Sequence, residues 1–119
     1  MKRVYVAGPY SADTVMGVLQ NIGRGESTAA YLFKNGFSPF CPWHDKDYVI
    51  SMYYEYFTAQ RFKDFSMAWL EVSDAVYLVE GWEKSGGTLE EIKRAKELGI
   101  PVFTSLIELF RWREETDNE

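Results

Sequence analysis

Little in this sequence invites metal or disulfide chemistry. Among its 119 residues there is one cysteine and one histidine. Cys41 cannot close an internal disulfide and reads as a small buried residue; a reactive thiol has no support in its surroundings. A zinc site of the usual Cys/His kind lacks ligands, so no metal and no cofactor are expected. Positive charge is also scarce. Thirteen Lys and Arg against 18 Asp and Glu give a net charge of −5, which argues against a nucleic-acid surface, because neutralising phosphates needs a basic patch. No apolar run approaches the roughly 18 residues of a membrane span. The opening MKRVYVAGPY enters a strand directly and carries no signal-peptide pattern, so the expected location is the cytoplasm.

What is abundant is aromatic: 17% of residues, within a hydrophobic fraction of 46%. The length suits one domain with a core of its own. Its expected extent is 1–113, followed by a flexible acidic tail at 114–119, EETDNE. Strands and helices alternate along the chain. Arg3 to Ala7 is a short apolar run ending at Gly8-Pro9, as in a buried parallel strand. A helix is predicted from about Asn21 to Lys34, stopping at Asn35-Gly36, with an irregular first turn because Gly23 and Gly25 weaken it. Phe37 to Cys41 reads as a second strand, and Pro39 puts it at a sheet edge.

Residues 42–53 read as an aromatic loop. A helix from about Tyr54 to Val72 follows, with Phe62, Phe65, Trp69 and Val72 at helical spacing as a core stripe. Asp74 to Val79 is the clearest central strand. Pro101 to Phe103 is a last strand, again proline-marked and tolerable at an edge. Ser105 and Glu108 form a capping box for a final helix to about Arg113. This alternation implies an α/β fold, a parallel sheet covered by helices on both faces. Right-handed crossovers and the two proline-marked edges favour the strand order 2-1-3-4. Ligands then sit beyond the strand C-termini, where the winding reverses between strands one and three. That point gathers AGPYS (7–11) and EGWEKSGG (80–87).

At the second of these junctions the sequence becomes chemical. Gly86 and Gly87 let backbone approach a ligand, Ser85 and Thr88 add hydroxyls, and a helix N-terminus offers free amides to an anion. The pattern is neither a Walker A loop nor a dinucleotide fingerprint. Two carboxylates follow. At about 100° per residue, Glu90 falls with Lys93, Arg94 and Glu97 on a solvated face, and Glu91 falls toward Ala95, Leu98 and the sheet. Glu91 has two readings: partner of Thr88 in a capping box, or a crevice carboxylate able to act as nucleophile or base. Tyr5 either reaches the crevice or packs; Tyr10 and Trp82 sit where a base could stack. His44 and Asp45 form either a polar pair or an ordinary loop. Tyr53, Tyr54, Tyr56 and Phe57 exceed what one helix face buries and suggest a lid or a subunit interface.

The segments VYVAGPYS, NIGRGESTAAYLFKNGFSPFCP and SDAVYLVEGWEKSGGTLEEIKRAKELGIPVF resemble the nucleoside 2-deoxyribosyltransferase superfamily, and in particular its short phage and bacterial members. The resemblance covers roughly residues 3–104, and its most specific part is the run Gly81, Trp82, Ser85, Gly87, Glu91. It implies a flavodoxin-like (Rossmann-like) three-layer sandwich with about four or five parallel strands. It further implies cleavage of an N-glycosidic bond. Glu91 would be the nucleophile at C1′, positioned by Tyr5, and a glycosyl-enzyme would be resolved by water or by a second base. The 5′-phosphate of a nucleotide would sit on Gly8, Tyr10, Ser11, Ser85 and Gly87, with Pro9, Trp82, Gly86 and Thr88 completing the substrate site. A homodimer or higher oligomer is implied, a neighbour's Thr104 or Ser105 closing the site. One position departs: where the family carries an aspartate that protonates the leaving base, this chain has Ser66, with Asp64 two residues earlier as a candidate replacement. A hydroxyl is a poor general acid. The alternative expectation is therefore a non-catalytic nucleotide binder or sensor using the same crevice, and a third is a protein-interaction module built on the exposed tyrosines.

Overall fold

The continuous apolar run at the start of the chain becomes strand β1, Arg3–Ala7, with four of its five residues buried. Alternation along it feeds two separate cores. Val4 and Val6 pack with Ala29, Leu32, Phe37, Trp43 and Leu109 on one side of the sheet. Tyr5 and Ala7 pack with Leu70, Val76, Leu78 and Ala95 on the other. A strand covered on both faces needs no polar alternation, which is why this one reads as unbroken hydrophobic sequence. The computed structural model describes residues 1–51 and 57–117.

The other strands are β2 (Ser38–Phe40), β3 (Ala75–Leu78) and β4 (Val102–Phe103). All pair in parallel, in the order β2-β1-β3-β4. The strand that contains Pro39 and the strand that Pro101 precedes lie at the two edges, and the Pro101 carbonyl accepts from the Val76 amide at 2.9 Å. Helices α1 (Val15–Lys34) and α5 (Leu106–Asp117) supply Ala29, Leu32 and Leu109 to one layer. Helices α3 (Ala59–Leu70) and α4 (Gly86–Glu97) supply Leu70 and Ala95 to the other. The result is an α/β fold, a four-stranded parallel sheet flanked by helices, consistent with a flavodoxin-like architecture. Among the described residues no helix is long and apolar enough to cross a membrane.

Several local expectations are corrected. Helix α1 is regular from Val15, not from Asn21, because Thr14 caps it, its hydroxyl accepting from the Gly17 amide at 3.0 Å. Gly25 has a tertiary reason to be there: a Cβ would run into the Trp43 ring. The helix ends as expected, with Gly36 in the left-handed region at φ +89°.

Residues 42–51 are not a loop. Pro42–Asp45 is a 3₁₀ turn and Lys46–Ser51 is a short helix, α2. The expected core stripe is only partly inside. Phe62 and Phe65 are half-buried, but Trp69 is 49% and Val72 54% exposed. The helix stops at Leu70, which takes the buried position, and Trp69 instead lies over edge residue Phe40 at 5.6 Å. At the other end α5 continues to Asp117, where a frayed tail was expected from 114. Thr116 bonds back to the Trp112 carbonyl at 2.9 Å, and Asp117 lies 3.9 Å from the Lys2 ammonium.

Candidate functional site

The β3–α4 connection shows what the glycine turn is for. Gly81 sits at φ +93°, where a side chain would be strained, and the chain then makes a 3₁₀ turn over Trp82–Lys84. Ser85 is the N-cap of α4. Its hydroxyl accepts from the Thr88 amide at 3.3 Å and from the Thr88 hydroxyl at 2.9 Å. The cap pair is therefore Ser85 with Thr88, and Thr88 is buried. The predicted capping box of Thr88 with Glu91 does not form, because the helix begins three residues too early for it. The amides of Gly86 and Gly87 precede the first intrahelical bond and point out of the helix start. Neither glycine has positive φ, and a Cβ on either would meet nothing within 4 Å. Among the described residues no atom demands glycine here, and the space beside both positions is open.

Freed from capping, Glu91 accepts a hydrogen bond from the Tyr5 hydroxyl. Tyr5 is fully buried on β1, so the sheet fixes one partner and α4 the other. Burial pushes the Glu91 carboxyl from 4.5 up to about 7; the Tyr5 hydrogen bond works in the opposite direction, and the charge of Glu90 adds to the rise. Burial and the adjacent carboxylate likewise raise Tyr5, while the Ser66 hydroxyl opposes them. A carboxyl that titrates near 7 and accepts from a phenol can serve as a base, and as a nucleophile once it has lost its proton. Glu90 behaves as its helical phase predicts. It points outward and pairs with Lys63, at the rim.

The loop after β1 forms the facing wall. Trp43 is buried and donates its indole N–H to the Pro9 carbonyl at 3.1 Å. Asn21 donates to the Tyr10 and Ser11 carbonyls at 3.2 and 3.3 Å. A Cβ at Gly8 would lie 2.9 Å from Val79 and 3.3 Å from the Trp43 ring. These contacts hold the loop open over a cavity of about 740 Å³. Tyr5, Gly8, Tyr10, Ser11, Ser85, Gly87, Thr88 and Glu91 all line it, together with Ser66.

Other expected site residues lie elsewhere. Asp64 is exposed on the far side of α3, where it accepts from Gln60 at 2.8 Å; two residues along a helix from Ser66 is about 200° away. Pro9 supports the loop by its carbonyl, Trp82 packs against the core, and Gly86 lies outside the lining. His44 pairs with Glu26 at 3.2 Å and not with Asp45. Cys41 is buried as expected, and burial pushes its thiol up to about 11. Phe57 stacks on Phe62 at 5.9 Å; Tyr53, Tyr54 and Tyr56 lie outside the described residues.

Sequence reasoning missed Asn21 and Trp43, which position the site, and Lys46 and Lys63, which line it; Asp45, read only as a partner for His44 or as a loop residue, lines it too. The adjacency of Gly25 to a distant tryptophan leaves no local pattern, whereas the cavity residues of α2 required seeing that segment as a helix. Among the described residues no cluster of His, Cys, Asp or Glu is arranged to hold a metal ion.

No curated protein matches the sequence. Residues 2–104, which hold all four strands and the helices between them, match the family described as Domain of unknown function (DUF4406), and the chain belongs to that family.

Proposed function

We propose that this protein cleaves the N-glycosidic bond of a nucleoside 5′-monophosphate, with Glu91 as nucleophile. The observation that carries the reading is the Tyr5–Glu91 hydrogen bond at the base of the cavity, beside the open start of α4. A sugar-phosphate would place its phosphate against the free amides of the glycine turn and the hydroxyls of Ser85 and Ser11, where the helix end favours negative charge. Glu91 then attacks C1′ as the carboxylate, and the bond from C1′ to the base nitrogen breaks. The Tyr5 hydroxyl holds the attacking carboxylate in line. As C1′ takes on positive charge the partly buried carboxylate stabilises it, more strongly than it would in water. Water resolves the glycosyl-enzyme in an N-hydrolase, and a second base resolves it in a deoxyribosyltransferase. The same reading carries a cytoplasmic homo-oligomer in which a neighbour closes the site. Ser105 is occupied in capping α5, which leaves the exposed Thr104 for that role.

The test is release of free base from a panel of ribo- and deoxyribonucleoside 5′-monophosphates, read by chromatography. Glu91→Ala is expected to lower release by at least about a thousandfold while the fold persists, and Glu90→Ala to change it little. Equal loss in both variants would falsify the assignment. A second reading, a non-catalytic nucleotide receptor, is favoured by one observation: the cavity presents a hydroxyl at Ser66, and Asp64 faces away. Under it, nucleotides bind and stay intact.

A further inference from the structure

The proposed cleavage leaves a need that Glu91 and Tyr5 do not meet. The departing base carries away an electron pair and has to be protonated, and the group that does so must reach the cavity as an acid. Among the described residues three carboxyl groups line the cavity: Glu91, Glu90 and Asp45. Glu91 is the nucleophile. Glu90 is committed to the Lys63 ammonium at the rim. That leaves Asp45, on the turn leading into α2, and the geometry points to Asp45 as the proton donor to the leaving base. This inference rests on the N-glycosidase reading.

Three observations converge on it. Asp45 lines the same cavity as Tyr5, Tyr10 and Glu91. Its turn is fixed from below by Trp43, whose indole is tied to the Pro9 carbonyl and whose ring fills the hollow left by Gly25. Its charge is only loosely balanced: Lys46, the adjacent cation, sends its ammonium to Glu26 at 3.1 Å. Burial accordingly raises the Asp45 carboxyl above its ordinary value, against the smaller opposing effects of the Lys46 charge and backbone amide. Burial raises Glu91 as well, to about 7, so position and not acidity divides the roles: Tyr5 fixes Glu91 as the nucleophile, and Asp45 is the half-buried carboxyl on the cavity wall left to supply a proton.

The step balances without a further reactant. The C1′–N bond breaks and its electrons go to the base, which takes the proton of Asp45. A bond forms between C1′ and a Glu91 oxygen. The Asp45 carboxylate so produced then takes a proton from the water that attacks C1′. This restores the acid and frees Glu91, with one residue acting in both directions.

The experiment compares two substrates that share a 5-phosphorylated deoxyribose. One carries a natural base, and the other carries 4-nitrophenolate, a leaving group stable without protonation. In the first turnover, before water resolves the glycosyl-enzyme, Asp45→Asn, checked by its thermal unfolding, is expected to slow base release by about a hundredfold. It should leave the first-turnover release of nitrophenolate within about threefold of wild type, whereas Glu91→Ala abolishes both. Asp45→Ser serves the same comparison should the Asn variant not yield folded protein. Equal slowing of both substrates would reduce Asp45 to a structural role, and no slowing of either would remove it altogether. Wild-type protein that cleaves neither substrate in a Glu91-dependent way overturns the glycosidase reading and this inference with it. Wild-type activity on both, unaltered by the Asp45 change, overturns this inference alone.

Discussion

A carboxylate near the start of a helix ordinarily serves the helix, and the sequence allowed that for Glu91. The coordinates separate the two roles, since Ser85 and Thr88 complete the cap and Glu91 turns to Tyr5. The energetic signs are opposite, which makes the distinction measurable. A cap residue stabilises, and its removal costs about 1 kcal/mol. Glu91 has its folded value raised from 4.5 to about 7, so the native state binds its proton more tightly than the unfolded chain does. The stability this brings is complete below the unfolded value and is lost as pH rises between those two values. At 1.36 kcal/mol per unit the loss at neutral pH and above is at most about 3 kcal/mol. Glu91→Gln, which can still accept from Tyr5, is therefore expected to raise the unfolding free energy by about 1–3 kcal/mol near pH 8. The gain should disappear near pH 4, measured by urea unfolding at both pH values. Loss of stability at both would return Glu91 to a helix-stabilising role. The inward phase of Glu91 and the outward phase of Glu90 were legible because 100° steps separate neighbours on a helix. The place of Asp45 was not, because it depends on a turn held by a tryptophan that touches α1.

At the scale of elements, glycine was the residue whose meaning sequence conveyed least. Gly23 and Gly25 both read as weaknesses in α1, yet they differ in kind. Gly23 is exposed with no neighbour within 4 Å of a Cβ, while Gly25 is buried beneath the Trp43 ring. Gly23→Ala should stabilise by up to about 1 kcal/mol through helix propensity alone. Gly25→Ala gains the same propensity but drives Trp43 out of its seat, and a net loss of about 1–3 kcal/mol is expected. Because Trp43 holds the β1 loop, this variant should also weaken nucleotide binding; thermal unfolding and a binding titration would show both effects. Gly87 is a third kind. Its helical position and open surroundings mean that Gly87→Ala folds at least as stably as wild type, while its methyl intrudes where an anion would lie. Retained stability with at least about tenfold weaker nucleotide binding is the expected result. Unchanged affinity would place the anion elsewhere.

Taken whole, the molecule's topology was the most legible feature, because two prolines name the sheet edges and the apolar runs name its centre. The switch point between β1 and β3 followed, and with it the crevice. Less legible was the third wall, where the 3₁₀ turn, α2 and α3 bring Asp45, Lys46, Lys63 and Ser66 to the cavity. Amphipathic periodicity predicts that a helix packs, not the angle at which it meets the sheet, and so Trp69 was placed inside when Leu70 takes that position. The two functional readings differ at this largest scale as well. Either kind of protein binds nucleotide in its native state only, so nucleotide at a hundred times its Kd should add about 2.7 kcal/mol of stability. For a chain of this length that raises Tm by about 10 °C. Glu91→Gln should keep the rise and lose base release, and Gly87→Ala, at the same nucleotide concentration, should cut the rise to about half or less. A receptor would show the rise in wild type with the nucleotide recovered intact after prolonged incubation. Absence of any rise at millimolar nucleoside monophosphate would remove both readings together, because each requires the start of α4 to hold the phosphate.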